Sequence, residues 1–151
     1  MGDMLRNTSI IELTPQHTWD VFHMQEVDIA SFWFPDSVKK ALDDQHNFSL
    51  GVLRDGALVS FCLSTIVIDE LNISHLVTHK DHRRCGLGKF VLSELIKQAR
   101  SKGVVSSFLE VRKGNLAAIG LYKSLGYCEI NTRKDYYQYP TEDAVVMRLS
   151  F

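Results

Sequence analysis

The junction Arg83-Arg84-Cys85-Gly86-Leu87-Gly88 constrains this chain more than any other stretch. It follows a strand-like segment over 71–78. It opens a pattern in which Leu87, Phe90, Val91, Leu95, Ile96 and Ala99 recur at helical spacing. Two glycines there let the backbone come close to something. The amides freed at the helix start, beside two arginines, suit a phosphate-bearing ligand. A Gly-x-Gly alone is weak evidence, because glycine also supplies positive φ in ordinary turns. No Gly-Lys-Ser/Thr closes the loop, so it is not a P-loop. The third glycine and the preceding βαβ pattern of a dinucleotide loop are missing too. A pyrophosphate cradle of another kind remains. Cys85 inside the loop invites a nucleophilic or redox reading, but no partner histidine or resolving cysteine is indicated near it.

The elements around the junction predict the architecture. Ile10–Leu13 reads as a first strand, and Thr14-Pro15 as a helix start with the helix running to about Asp28. After the aromatic loop Phe32-Trp33-Phe34-Pro35, Asp36 or Ser37 caps a short helix through Leu42. Strands follow over Asn47–Leu53, Ala57–Ile68 and Leu71–Thr78, the first two joined at the tight turn Asp55-Gly56. Gly103 ends the long helix. Then come a strand over Ser106–Val111, a helix capped by Asn115 and ended by Gly126, and strands over Tyr127–Asn131 and Ala144–Leu149. This order, with its run of three strands, predicts an α/β (α+β) fold with a mainly antiparallel seven-stranded sheet flanked by about four helices. A doubly wound fold would alternate strand and helix from the start.

Bulk properties narrow the function. With 151 residues and no repeat or linker, one domain over 1–151 is expected. A net charge of −1 gives no support to nucleic-acid binding. Cys62, Cys85 and Cys128 are sparse and lack metal-ligand spacing, which suggests a reduced, cytoplasmic setting. His17, His23, His46, His79 and His82 show no metal spacing either, so no metal is expected. No signal peptide and no membrane span are apparent.

Downstream stands a second constellation: Leu109-Glu110-Val111-Arg112-Lys113-Gly114-Asn115, Ala117-Ala118-Ile119, and Leu121-Tyr122-Lys123-Ser124-Leu125-Gly126-Tyr127. Singly, Glu110 is a solvated strand residue, Tyr122 a core aromatic and Asn115 a helix cap. Beside the glycine loop they stop looking independent. Arg83-x-x-Gly86-x-Gly88 resembles the coenzyme loop of the GNAT acetyltransferase superfamily. The block from Leu109 to Tyr127 is similar to the RimI type within it, whose members acetylate the N-terminal alanine of a small-subunit ribosomal protein. Arg133-Lys134-Asp135-Tyr136-Tyr137 and Glu142-Asp143-Ala144-Val145-Val146-Met147 resemble that family's tail.

The resemblance implies acetyl-coenzyme A as cosubstrate and a protein or peptide N-terminus as acceptor, the alternatives being a small amine or a lysine as acceptor, or a coenzyme-binding regulatory module with little turnover. It implies Glu110 as general base and Tyr122 as general acid. It places Leu76, Val77 and Thr78 beside the pantetheine arm. Arg83, Arg84, Cys85, Gly86, Leu87, Gly88 and Lys89 fall at the pyrophosphate, and Asn115 at the coenzyme. In this scheme Cys85 matters for its backbone position. Two places depart from the family's pattern. His75-Leu76-Val77-Thr78 stands where Asn-Ile-Ala-Val is usual, so His75 is either a satisfied strand residue or a second proton acceptor. Phe34-Pro35-Asp36-Ser37 stands where Phe-Pro-Trp-Ser is common, with Trp33 displaced. Asp36 there either favours a cationic acceptor or caps a helix. Tyr136, Tyr137 and Tyr139 form either the far wall of a peptide cleft or the packing of a loop.

Overall fold

The structure, a computed structural model, describes residues 6–25 and 32–151. Seven strands, β1 (Thr8–Glu12), β2 (Leu50–Arg54), β3 (Ala57–Val67), β4 (Glu70–Thr78), β5 (Ser106–Arg112), β6 (Cys128–Tyr137) and β7 (Glu142–Ser150), form one sheet in the order β1-β2-β3-β4-β5-β7-β6. Four helices flank it: α1 (Thr18–Met24), α2 (Pro35–Asp43), α3 (Leu87–Ser101) and α4 (Leu116–Ser124). Every pairing is antiparallel except β4 with β5. The predicted α+β sandwich is therefore the observed one.

Two apolar layers hold the sheet. On one face α3 buries Leu87, Val91, Leu92, Leu95 and Ala99 against Leu50, Val52, Cys62, Leu71 and Ile73. Each large side chain there contributes roughly 1.5–3 kcal/mol. On the other face Val21 and Met24 of α1 and Val38 and Leu42 of α2 pack on Phe61 and Leu63.

The strand that matters most for the site is β4. Its pairing with β3 runs to Thr78, but Leu63 faces His75 while Ser64 faces Ile73, so Ser74 is an extra residue. Such a bulge bends a strand and re-aims the side chains beyond it. Ile73 accordingly packs in the α3 layer, whereas His75 meets Phe61 and Val77 packs in the α1–α2 layer. The parallel pairing of β4 with β5 covers only Glu70–Asn72 and Ser106–Phe108. Beyond that the two strands part, and β5 continues to Arg112 paired with β7 alone.

Local expectations need four corrections. The α1 helix begins at Thr18 after a single 3-10 turn over Pro15–His17, and Asp28 lies outside the described residues. Helix α2 starts at Pro35 with Phe34 in the cap position and no side-chain cap, so neither Asp36 nor Ser37 caps it. The β2 strand starts at Leu50, and Asn47 makes only an isolated bridge to Thr65. The β6 strand runs six residues past Asn131, to Tyr137. Among the described residues, no helix is long and apolar enough to cross a membrane.

Candidate active site

The parting of β4 and β5 opens a groove of about 1500 Å³. Its walls are the free edges of the two strands, the start of α3, the inner face of α4 and the β6–β7 connection. Every residue that the resemblance assigns to catalysis or to the coenzyme lines it except Cys85, whereas Asp36 does not reach it. The Cys85 side chain packs against the α3 core, with its thiol 3.5 Å from Arg83 O. Nucleophilic use of this cysteine is therefore unsupported.

On one side the wall is mostly main chain. Gly86 has φ 79° and ψ 12°, a left-handed conformation that only glycine takes at no cost. Phe90 N–H is the first amide of α3 with a helical bond, to Gly86 O at 2.9 Å. The amides of Leu87, Gly88 and Lys89 are thus the orphan donors of the helix start. A Cβ added to Gly88 would touch Thr78 Oγ1 at 3.5 Å and Leu121 at 3.8 Å, ordinary contacts. Packing does not demand glycine there, but a bare backbone keeps the helix start open to a ligand. Arg83 Nε donates to Thr78 O at 3.1 Å, tying the loop to the end of β4. Asn115 caps α4, its Oδ1 accepting from Ala118 N–H at 3.2 Å, and its amide NH₂ has no partner among the described residues. These orphan donors beside two arginines fit a pyrophosphate.

On the other side the wall is side chain. Glu110 and Arg112 point from the same face of β5, while Leu109 and Val111 fill the core. Glu110 Oε1 lies 3.2 Å from Arg133 Nε, and the same carboxylate pushes the Tyr136 phenol up. Arg133 stands opposite Ala144 on β7 and reaches across that strand to Glu110 on β5. The β6–β7 register slips twice, between Glu129 and Asn131 and between Arg133 and Tyr137.

Tyr122 projects from α4 and is only 7% exposed. Its hydroxyl has no partner among the described residues and no fully buried side-chain polar atom there is left unbonded, so the hydroxyl opens to the groove. Burial, followed by the neighbouring Cys62, Tyr127 and Tyr137, drives its pKa up, so it stays protonated.

His75 resolves as a packed residue with a defined tautomer. Its ring stacks on Trp33 at 5.3 Å, and burial lowers its pKa to about 4. Gln25 is fixed by both backbone groups of Trp33, donating to its carbonyl and accepting from its N–H, each at 2.9 Å. Gln25 Oε1 therefore faces His75 Nε2 at 3.2 Å, and the neutral imidazole donates. Sequence reasoning missed Gln25 and gave Arg112 and Arg133 no role. Arg112 and Arg133 stood inside blocks quoted for the family, whereas nothing in the sequence marked Gln25. Tyr136, Tyr137 and Tyr139 all line the groove, as a far wall. Among the described residues no cluster of His, Cys, Asp or Glu could hold a metal ion.

Known proteins share this architecture. Residues 10–127 match the model of the acetyltransferase (GNAT) family. The ribosomal protein bS18-alanine N-acetyltransferase of Escherichia coli is 38% identical over 140 residues, covering 87% of this chain and 92% of its own. Its Salmonella typhimurium counterpart is 35% identical over 138 residues, with the same coverage. A crystal structure of the Escherichia coli ribosomal-protein-S18-alanine N-acetyltransferase superposes with a TM-score of 0.89 at 29% identity, over 95% of this chain and 93% of that one. Ard1 from Thermoplasma volcanium shares the fold, with a TM-score of 0.86 at 20% identity over 95% and 97% of the two chains. With a groove built this way and relatives of this kind, the chain belongs to the acetyltransferase (GNAT) family, and within it to the RimI type.

Proposed function

We propose that residues 1–151 act as one cytoplasmic acetyltransferase domain that moves the acetyl group of acetyl-coenzyme A onto a protein N-terminus. The proposed acceptor is the N-terminal alanine of a small-subunit ribosomal protein, in line with what the bacterial relatives are named for. The observation that carries this reading is the placement of Glu110 and Tyr122 in one groove with a free strand edge and an anion-ready helix start.

The coenzyme pyrophosphate would sit on the amides of Leu87, Gly88 and Lys89, with Gly86 setting their direction and Arg83 and Arg84 alongside. The pantetheine arm would pair with the free edge at Leu76, Val77 and Thr78, and the Asn115 amide would donate to the coenzyme. Main-chain N–H groups near Leu76 and Val77 would hold the developing oxyanion.

The acceptor's amine chemistry suits a single carboxylate. A terminal amine has a pKa of about 7.7–8.0 against about 10.4 for lysine, so at pH 7 roughly a tenth of it is already neutral. Glu110, directly or through a water, would take the remaining proton as the amine attacks the thioester. The leaving thiolate needs a donor, and Tyr122 is a buried phenol held protonated. Giving its proton up entirely would leave a buried phenolate, so Tyr122 shares the proton with sulfur through a hydrogen bond.

The test is incubation with acetyl-coenzyme A and an alanine-initiated peptide copying the start of ribosomal protein bS18, with free and blocked N-termini. Mass spectrometry then locates the acetyl group. Acetyl on the free α-amine is expected. Acetyl on lysine alone, or on small amines alone, overturns the acceptor, and coenzyme binding without turnover overturns catalysis.

A further inference from the structure

We propose that Arg112 and Glu142 form a positioning clamp that sets the acceptor wall of the groove. The inference rests on the acceptor reading above. Arg112 lies two residues beyond Glu110 on the same face of β5, yet it is turned toward the β6–β7 connection. Its Nη1 donates to Glu142 Oε1 at 2.9 Å and to Pro140 O at 3.2 Å, and its Nη2 donates to Gln138 O at 3.1 Å. Its guanidinium also lies over the Tyr137 ring, 4.6 Å from the centroid.

The two carbonyls it holds flank Tyr139, which has φ 55°, a left-handed conformation that costs a non-glycine residue about 1–2 kcal/mol. One planar fork thus braces a strained residue from both sides and stacks on Tyr137, and both tyrosines line the groove. Lysine, a point donor, cannot reproduce that geometry.

Glu142 makes the clamp two-ended. Its second oxygen, Oε2, accepts from Gly114 N–H at 2.8 Å, in the turn that leads into Asn115 and α4. A Cβ at Gly114 would come within 2.6 Å of that oxygen. The Arg112 guanidinium and the Gly114 amide hold the Glu142 carboxyl below the usual carboxylate range. One carboxylate therefore ties the acceptor wall to the turn that starts the α4 side of the groove. Neither residue touches the reacting atoms. They act through where Tyr137 and Tyr139 stand.

The experiment compares the full chain with Arg112→Gln, Arg112→Lys and Glu142→Gln, reading kcat, the KM of the peptide, the Kd of coenzyme A, and backbone hydrogen exchange over 136–141. Arg112→Gln is expected to raise peptide KM about tenfold, the size of one lost charged hydrogen bond. Coenzyme Kd should hold within about twofold and exchange over 136–141 should quicken, with Arg112→Lys giving a partial effect in the same direction. Unchanged peptide KM in variants that still turn over overturns the clamp, as does an equal loss of coenzyme affinity. If Arg112→Gln fails to fold, Arg112→Lys and Glu142→Gln decide by the same readouts. If the wild type acetylates no peptide, the proposed reaction falls, and the exchange rates alone decide on the clamp: unchanged rates overturn it.

Discussion

The two sides of the groove are built from different materials. The β4–α3 side offers backbone: a free strand edge, three orphan amides and a left-handed glycine. The β5–β6–β7 side offers side chains: Glu110 against Arg133 and Tyr136, and Arg112 against Glu142. Main-chain groups bond regardless of the side chain they carry, so the first side tolerates His75-Leu76-Val77-Thr78 in place of the usual family residues. The second side has no such tolerance, since each contact is one residue's chemistry. It also stands partly on β6, an edge strand whose side chains are exposed except at Tyr137. The contrast suggests that cosubstrate use is the durable property of this fold and acceptor choice the adjustable one.

The largest expected effect falls on the side-chain half. Glu110→Gln should lower kcat/KM by about 10²–10⁴ with an unchanged melting curve, the range for a lost general base. A near-normal rate would remove the acid–base asymmetry between the halves. Tyr122→Phe, on the α4 wall between them, should lower kcat about a hundredfold while coenzyme A still binds.

His75 sharpens the comparison through pH. Its folded pKa, about 4, lies below the ordinary 6.5, so the unfolded chain binds the proton more readily. The contribution is therefore complete above 6.5 and is lost as pH falls through 6.5 toward 4, by up to about 3 kcal/mol. Urea unfolding of His75→Gln should show a flatter acid limb than the wild type over that window. An identical limb would mean that the Trp33 stack does not desolvate the ring.

Smaller effects are expected from the backbone half. Gly88→Ala should leave stability unchanged or raise it by about 0.5–1 kcal/mol, because alanine suits a helix and has room. The same change should weaken coenzyme A severalfold in calorimetry, and unweakened binding would show that the helix start does not meet the ligand. The smallest effect belongs to Leu76→Met, a volume-conserving change expected to leave kcat/KM within about twofold.

Where the sequence failed, a reason is visible. The second half of β6 reads Thr-Arg-Lys-Asp-Tyr-Tyr, with no alternation of apolar and polar residues, because an exposed edge strand buries no face. Its pairing also slips twice, so even a correct strand would carry the wrong register. Asp36 looked like a cap because caps are local, yet proline at the first position and Phe34 before it started the helix two residues earlier. Gln25 carried no signal, since its two bonds to Trp33 and its contact with His75 join residues 8 and 50 positions away. Conversely Asn115, the glycine loop and both helix stops at Gly103 and Gly126 were legible, because caps and left-handed turns are set within four or five residues.

The order of residues alone determines the element sequence, the two faces of α3, the loop that frees three amides, and the presence of Glu110 and Tyr122 in one block. Each of these depends on neighbours along the chain. The tertiary structure decides that β4 and β5 part after Asn72 and Phe108, that a bulge at Ser74 turns His75 onto Trp33, that Cys85 faces the core, and that Arg112 and Arg133 reach different partners. Those facts rest on register and on contacts between distant segments, which local propensity does not encode.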